Sequence, residues 1–534
     1  MNLLHDPIFR VETEEGLKRL SLPELLAELS LDRVESFPGL QRHQEEAFYI
    51  FLCSLAGAVL ARRGLEEPPR VPNAWREGLL ELAEGQEEAW GLVVEDLSKP
   101  AFMQPPLPQG DRARLKRCAV AADELDVLVT AKNHDLKRAR AFGAHVENAT
   151  LQAQGRSIAH GGSSGAELDE WLYGLITLQT MSGFLGRGNQ GISRMNSGFG
   201  SRAVVEVVHS RRWGRRFREA LPRLLRHRQE ILQGPWEYTP KGLVLVWLRE
   251  WDGKDQISLS ELDPFYIEIC RRVRLFKTAQ GLEARSVPAD QPRIAAKALR
   301  GNVGDAWLPI DKAGKEGDQA LTVSSAGITA DLLRRILFRD GIELTELQKP
   351  LPARKGKIWL AFSVLVRGQG KTDGFHEKWL LIPEEKRPLL FGAQVEEPLA
   401  KLAKTAIEFA GTMQRSVLKP AVFTLLEGAP ERLQLDRDAI DAWWRKLQSR
   451  FDALWSDDYF PWLWSVAEDF DRGEEERRWL ERLKRHAETI LKEAWSRLPI
   501  RHGRSFASRV AAERKFYKGI KKRFPQLEEV SHGA

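Results

Sequence analysis

The apolar pattern of this chain changes character once, near residue 396, and that change limits the folds open to it. Before it, runs with strand character alternate with turns: residues 204–208, 243–248 and 358–366 are rich in β-branched and aliphatic side chains. After it strand signals almost vanish, and helical periodicity fills 399–415, 437–451, 474–495 and 505–524. This predicts an α+β chain, with a large mixed domain over 1–390 that is β-rich in its middle, followed by a C-terminal four-helix bundle over 391–534.

Within the first domain, residues 40–60 carry apolar side chains nearly all round a helix (Ala47, Phe48, Ile50, Phe51, Leu52, Leu55), the pattern of a helix enclosed by a large core. Upstream, Ile8-Phe9-Arg10-Val11 reads as a strand. Ser21 caps a helix with Pro23 in its first turn and Glu24 at the capping-box position. Four prolines within 99–110 deny both a helix and a central strand, so that segment is a loop. Loops rich in Gly and Ser at 155–165 and 182–202 bracket one short apolar helix, 168–181.

Composition sets the outer limits. At 534 residues and 43% hydrophobic content, the chain has the length of about three to four domain-sized units and enough apolar surface to bury real cores. With 29% charged residues, no stretch approaches the roughly 20 apolar residues of a membrane span. The opening Met1-Asn2-Leu3-Leu4-His5-Asp6-Pro7 lacks the basic region and apolar run of a secretory signal, so a cytoplasmic location is expected. Cys53, Cys118 and Cys270 lie far apart and form no CxxC pair, which makes them small buried side chains and leaves no basis for a metal or another cofactor. Lys and Arg number 81 against 75 Asp and Glu, a mild excess of +6. The 17 tryptophans have no functional reading at this level.

Two motifs come near to nucleotide binding. Gly186-Arg187-Gly188-Asn189-Gln190-Gly191 fits G-x-G-x-x-G, with Glu206 near the distance of a ribose-binding acid, but Met195 to Gly200 supplies further helix breakers where a helix must begin. Gly368-Gln369-Gly370-Lys371-Thr372 resembles the end of a phosphate-binding loop, yet Leu365 stands where its first glycine belongs. A hairpin fits better, with strands 358–366 and 375–382 and a turn at 367–374. There is no HExxH, no GxSxG and no spaced His/Asp metal cluster.

What remains is basic and polar loop chemistry. Arg187, Asn189, Gln190, Arg194, Asn196 and Arg202 decorate a loop whose glycines allow close backbone approach, a surface suited to phosphates or base edges. The alternative is a glycine loop packed on its own protein. Lys132, Asn133 and His134 follow a strand-like run, 127–130, and read as a loop tip. Between 211 and 228 stand eight arginines (211, 212, 215, 216, 218, 223, 226, 228) against the single acid Glu219, an excess that favours an anionic partner. The last helix repeats it more weakly with Arg509, Arg514, Lys515, Lys518, Lys521, Lys522 and Arg523.

Asn2-Leu3-Leu4-His5-Asp6-Pro7, Phe102-Met103-Gln104-Pro105, Thr130-Ala131-Lys132-Asn133-His134-Asp135 and the run from Gly188 to Arg202 together resemble the CasA family, the large subunits of type I-E CRISPR Cascade surveillance complexes. The resemblance covers the chain in layout and rests mainly on the last motif. It implies a non-catalytic protein that sits by the 5′ handle of the guide RNA and reads the PAM of double-stranded target DNA. It further implies help in opening the duplex, contacts with other Cascade subunits and recruitment of the helicase-nuclease. Carried over by motif, Lys132, Asn133 and His134 match the tip that contacts handle and PAM, and Gly188, Asn189, Gln190 and Gly191 match the glycine loop at the PAM. The hairpin carrying Arg367, Gln369 and Lys371 stands where the family has its duplex-splitting wedge. The cysteine cluster of some relatives is missing, so no zinc is expected; for their PAM-reading lysine, Arg271 or Arg272 is the candidate. A nucleotide-dependent enzyme and an RNA-binding scaffold subunit that ignores the PAM stay open as alternatives.

Overall fold

The computed structural model describes residues 1–120, 122–125, 167–196, 201–314, 317–352, 354–368, 371–392, 397–427, 437–497 and 505–527. The chain mixes helix and strand and divides into two compact units, Met1–Ile328 with Gly341–Glu384, and Thr329–Asp340 with Glu385–Ala534.

The first unit is built round the Glu45–Arg63 helix, in which residues 46–53 and 55–60 are all buried. Such a helix needs partners on every side, and it finds them in the helices Pro72–Leu82, Leu168–Met181 and Trp213–Leu232 and in the strand Leu262–Ile267. This helix is long and apolar enough to cross a membrane, so the sequence expectation was too strong on that point; 83% of its apolar window is buried inside the protein. The Leu22–Ser30 helix begins as expected, with the N–H and hydroxyl of Ser21 both donating to Glu24 at 2.7 Å.

The expected strand over 243–248 is shorter than its composition suggests. Only Leu243–Leu245 is strand, parallel to Leu262–Ile267, because the chain then turns to bury Trp247, whose Nε1 donates to the Ala89 carbonyl at 3.1 Å. Ile358–Gly368 lies between Ala203–Val208 and Lys371–Ile382 in an antiparallel three-stranded sheet. The turn expected over 367–374 shrinks as well. After Val366↔Gly374 the ladder shifts register and resumes at Arg367↔Thr372 and Gly368↔Lys371, a bulge that Gly374 accommodates at φ +149°.

The second unit is helical. Glu397–Thr412 passes through a π-helical stretch, Met413–Leu418, into Lys419–Glu427, and Arg437–Ser465, Arg472–Ser496 and Ser505–Arg523 follow. Arg437–Ser465 runs well past the expected end at residue 451 because Tyr459, Phe460, Trp462 and Leu463 keep an apolar stripe facing inward beyond Asp457 and Asp458. Trp462 stacks on Trp479 at 4.7 Å, Trp479 Nε1 donates to the Ala406 carbonyl at 2.9 Å, and Tyr459 donates to that of Ala403 at 2.8 Å. Large aromatic side chains build this core, with the Trp479 and Tyr459 donors satisfied by backbone carbonyls, which gives part of the tryptophan excess a packing role. Thr329–Asp340 groups with these helices although the sequence places it inside 1–390. Its helix, Ala330–Leu337, buries Leu333, Ile336 and Leu337 and packs on Glu397–Thr412.

Candidate nucleic-acid interface

The glycine loop leaves the Leu168–Met181 helix at Ser182 and is tied down at both ends. Ile192 N–H donates to the Ser182 carbonyl at 3.0 Å, closing the loop on itself, and Gly188 bridges to Ala289. Gly188 adopts φ +89°, open to glycine at no steric cost, while a Cβ at Gly191 would lie 2.8 Å from the Phe184 nitrogen. The loop's glycines therefore serve its own tight closure.

Most of its polar side chains turn inward, which corrects the expectation that they face an outside chain. Arg194 is buried: it donates to Glu268 at 3.0 Å and to the Tyr266 carbonyl at 3.0 Å, stacks 4.0 Å from the Tyr266 ring and pairs with Asp305 at 3.3 Å. Arg202 donates to the same Asp305 carboxylate at 2.5 Å. Burial pushes Asp305 up, but Arg202 and Arg194 outweigh it and hold the carboxyl below its usual range, whereas burial dominates at Glu268 and raises it. Gln190 Nε2 donates to the carbonyls of Ala289 and Asp290 at 3.0 and 2.9 Å. Asn189 is 6% exposed, and its Nδ2 finds no acceptor among the described residues. Asn196 is half-buried. Arg187 alone stands exposed at the loop tip with no hydrogen bond or ion pair to the described residues.

Arg271 and Arg272, the candidates for the family's PAM-reading lysine, are both buried. Arg271 donates to the carbonyls of Gln190 and Gly183 and thus braces the loop; Arg272 bonds Asp111 and the carbonyls of Trp251 and Pro288. Two glutamines that the sequence did not single out for this role do the same work. Gln179 accepts from the N–H groups of Cys270 and Arg271 at 2.8 Å and donates to Met103, and Gln104 accepts from Leu275 N–H at 2.7 Å. All three cysteines are buried and none is in a disulfide, and among the described residues no three His, Cys, Asp or Glu side chains are grouped to hold a metal ion.

The arginine-rich segment also departs from expectation. On the Trp213–Leu232 helix, Arg216, Arg223 and Arg228 are buried. Arg216 grips Glu46 at 2.7 Å and Glu206 at 2.8 Å, Arg228 grips Asp263 at 2.6 Å, and Arg223 donates to the carbonyls of Val207, Glu346 and Lys349. Arg212, Arg215 and Arg226 pair with Glu14, Glu219 and Glu346. Glu206, the imagined ribose acid, is 1% exposed and lies within this network. An acid inside the apolar run Val204-Val205-Glu206-Val207-Val208 was the available signal, because a buried carboxylate requires a partner.

On Ser505–Arg523 the cations are exposed instead: Arg514, Lys515, Lys518, Lys522 and Arg523 have no ion-pair partner among the described residues, and Phe506 and Tyr517 stand 75% and 51% exposed. Lys132, Asn133, His134, Gln369 and the 155–165 loop lie outside the described residues. The backbones of Arg367 and Lys371 lie at the same end of the hairpin ladder, Arg367 paired with Thr372 and Lys371 with Gly368.

Neither a protein-family model nor a curated protein matches the sequence. Solved structures do match along nearly its whole length. CasA of Thermus thermophilus superposes with a TM-score of 0.62 at 16% identity, covering 98% of this chain and 99% of that one. Cse1 of Acidimicrobium ferrooxidans gives 0.59 at 14% identity with 99% of both chains covered, and Cse1 of Thermobifida fusca gives 0.58 at 15% with 99% and 98% covered. The chain has the fold of these CRISPR-associated proteins.

Proposed function

We propose that this chain, which carries the CasA/Cse1 fold from end to end, is the non-catalytic large subunit of a type I-E CRISPR RNA-guided surveillance complex. In this reading it recognises the PAM of double-stranded DNA, helps open the duplex for guide pairing and helps recruit the helicase-nuclease; its partners are the guide RNA 5′ handle, the target DNA and the other Cascade subunits. The carrying observation is the fold likeness over 98–99% of the chain. The four long helical segments after residue 396 are then the family's four-helix bundle.

The glycine loop suits PAM reading by presenting one cation, Arg187, on a braced backbone. The minor groove offers a degenerate pattern, so a rigid backbone edge with one cation reads groove shape and a few acceptors, while guide pairing reads the sequence. Lys132, Asn133 and His134 belong to the same contact by motif, and Arg367, Gln369 and Lys371 to the wedge. The nucleotide-enzyme alternative is disfavoured because the strand Ala203–Val208 follows the loop and, among the described residues between Gly186 and that strand, no helix starts to face a pyrophosphate. The inward turn of Gln190, Arg194 and Arg202 favours a scaffold role as the second reading.

The test is binding of target duplexes with varied flanking trinucleotides to guide-loaded complex, with and without this chain. Binding that depends on both chain and flank is expected. Flank-independent binding that still needs the chain identifies the scaffold.

A further inference from the structure

Arg211 is held differently from the arginines that follow it. It is exposed and makes no hydrogen bond or ion pair with the described residues, yet its guanidinium carbon lies 4.9 Å from the ring centroid of Trp379 and 5.6 Å from that of Trp359. Lys357, also exposed, places its Nζ 5.6 Å from the Trp359 centroid. Both indoles are half-buried, and Leu381, 41% exposed, stands opposite Trp359 in the ladder. The platform is fixed from below: Trp379 Nε1 donates to Glu377 at 2.7 Å, and Arg42 holds that carboxylate at 2.9 Å.

Stacking uses the face of a guanidinium and leaves its edge N–H groups free, so Arg211 is positioned while its donors remain available for a phosphate. The carboxylates nearby are already engaged, Glu377 by Arg42 and Glu46 and Glu206 by Arg216. The first turn of the Trp213–Leu232 helix, which starts two residues later, carries no acid to compete with an anion. Part-exposed indoles beside free cations suit a single strand, whose unpaired bases present faces that a duplex keeps stacked. Trp359 lies nine residues from Gly368, about 30 Å along the strand at roughly 3.3 Å per residue, which puts this surface on the same hairpin as the proposed strand separator.

We infer that Arg211 and Lys357, seated on Trp359 and Trp379, form a second contact for a single nucleic-acid strand, gripping its phosphates and stacking a base. This rests on the reading of the hairpin as a strand separator, but its test does not depend on the PAM. The full chain carrying R211Q and K357Q is titrated against a labelled oligothymidylate at 50–200 mM salt. The expected result is an affinity about tenfold lower, a log–log salt slope smaller by about 1.4 for two lost phosphate contacts, and an unchanged melting temperature. Trp379→Leu is expected to weaken binding with the slope unaltered. Equal affinity and slope in the double variant overturn the inference. So does a double variant that binds the strand normally but drops out of the assembled complex, since the patch is then a protein contact. Flank dependence measured on the wild-type complex judges the proposed function separately.

Discussion

The segments 211–228 and 509–523 look alike in sequence, each a helix crowded with cations, and the molecule uses them in opposite ways. In the first, the cations at 216, 223 and 228 fall on the buried side of the helix and meet Glu46, Glu206 and Asp263, or backbone carbonyls, brought from other elements. In the second, Arg514, Lys515, Lys518 and Lys522 remain in solvent beside Tyr517. A charge count within a window sees only one side of each pair, so it cannot separate a buried ion network from a binding face. Phase against the apolar residues separates them: Arg216, Arg223 and Arg228 keep step with Phe217, Ala220, Leu224 and Ile231, whereas the exposed cations of 509–523 fall between Ala512, Phe516 and Ile520.

The contrast breaks most readily at Arg216. Arg216→Ala leaves Glu46 buried without its cation and Glu206 with only Arg223, 3.9 Å away, and is expected to cost about 3–5 kcal/mol, read as a large drop in unfolding midpoint; a loss below about 1 kcal/mol makes the buried network no different from an exposed pair. Asp305→Asn, which frees Arg194 and Arg202, is expected to destabilise less, and with a pH signature. Because the folded carboxyl binds a proton less readily than the unfolded one, its contribution is complete above the unfolded value, about 3.9, and fades as pH falls through the lower folded value. The melting gap between wild type and D305N should therefore narrow below about pH 4, and a constant gap contradicts the assignment. Replacing Arg514, Lys515, Lys518 and Lys522 together by Gln should leave stability within about 0.5 kcal/mol while flattening the salt dependence of nucleic-acid binding. The smallest effect is expected at Arg218, exposed and without an ion-pair partner among the described residues: R218Q should alter stability by no more than about 0.5 kcal/mol.

Local signals carried much of the fold. Residues 40–60 announced an enclosed helix because apolar side chains on every side have no other use, and Ser21 with Glu24 announced a helix start through bonds only three residues apart. Long-range bonds were hidden. Arg194 looked available because Glu268 and Asp305 are some 70 and 110 positions away, and Arg271 looked like a reader because nothing local shows that Gln190 and Gly183 need its donors. The extension of Arg437–Ser465 was obscured by Asp457, Asp458 and Pro461, which break the pattern on paper while Tyr459 and Trp462 keep it in space. The loop's place in the chain was thus legible, but which of its side chains face outward was not.

That division, with Arg187 facing out and Arg194 and Arg202 holding the loop, is tested most directly by the salt dependence of PAM-duplex affinity in the guide-loaded complex with R187Q. A slope smaller by about 0.9, for one lost phosphate contact, with an unchanged melting temperature, is the predicted result. An unchanged slope and affinity would mean that the exposed tip of the glycine loop does not touch DNA.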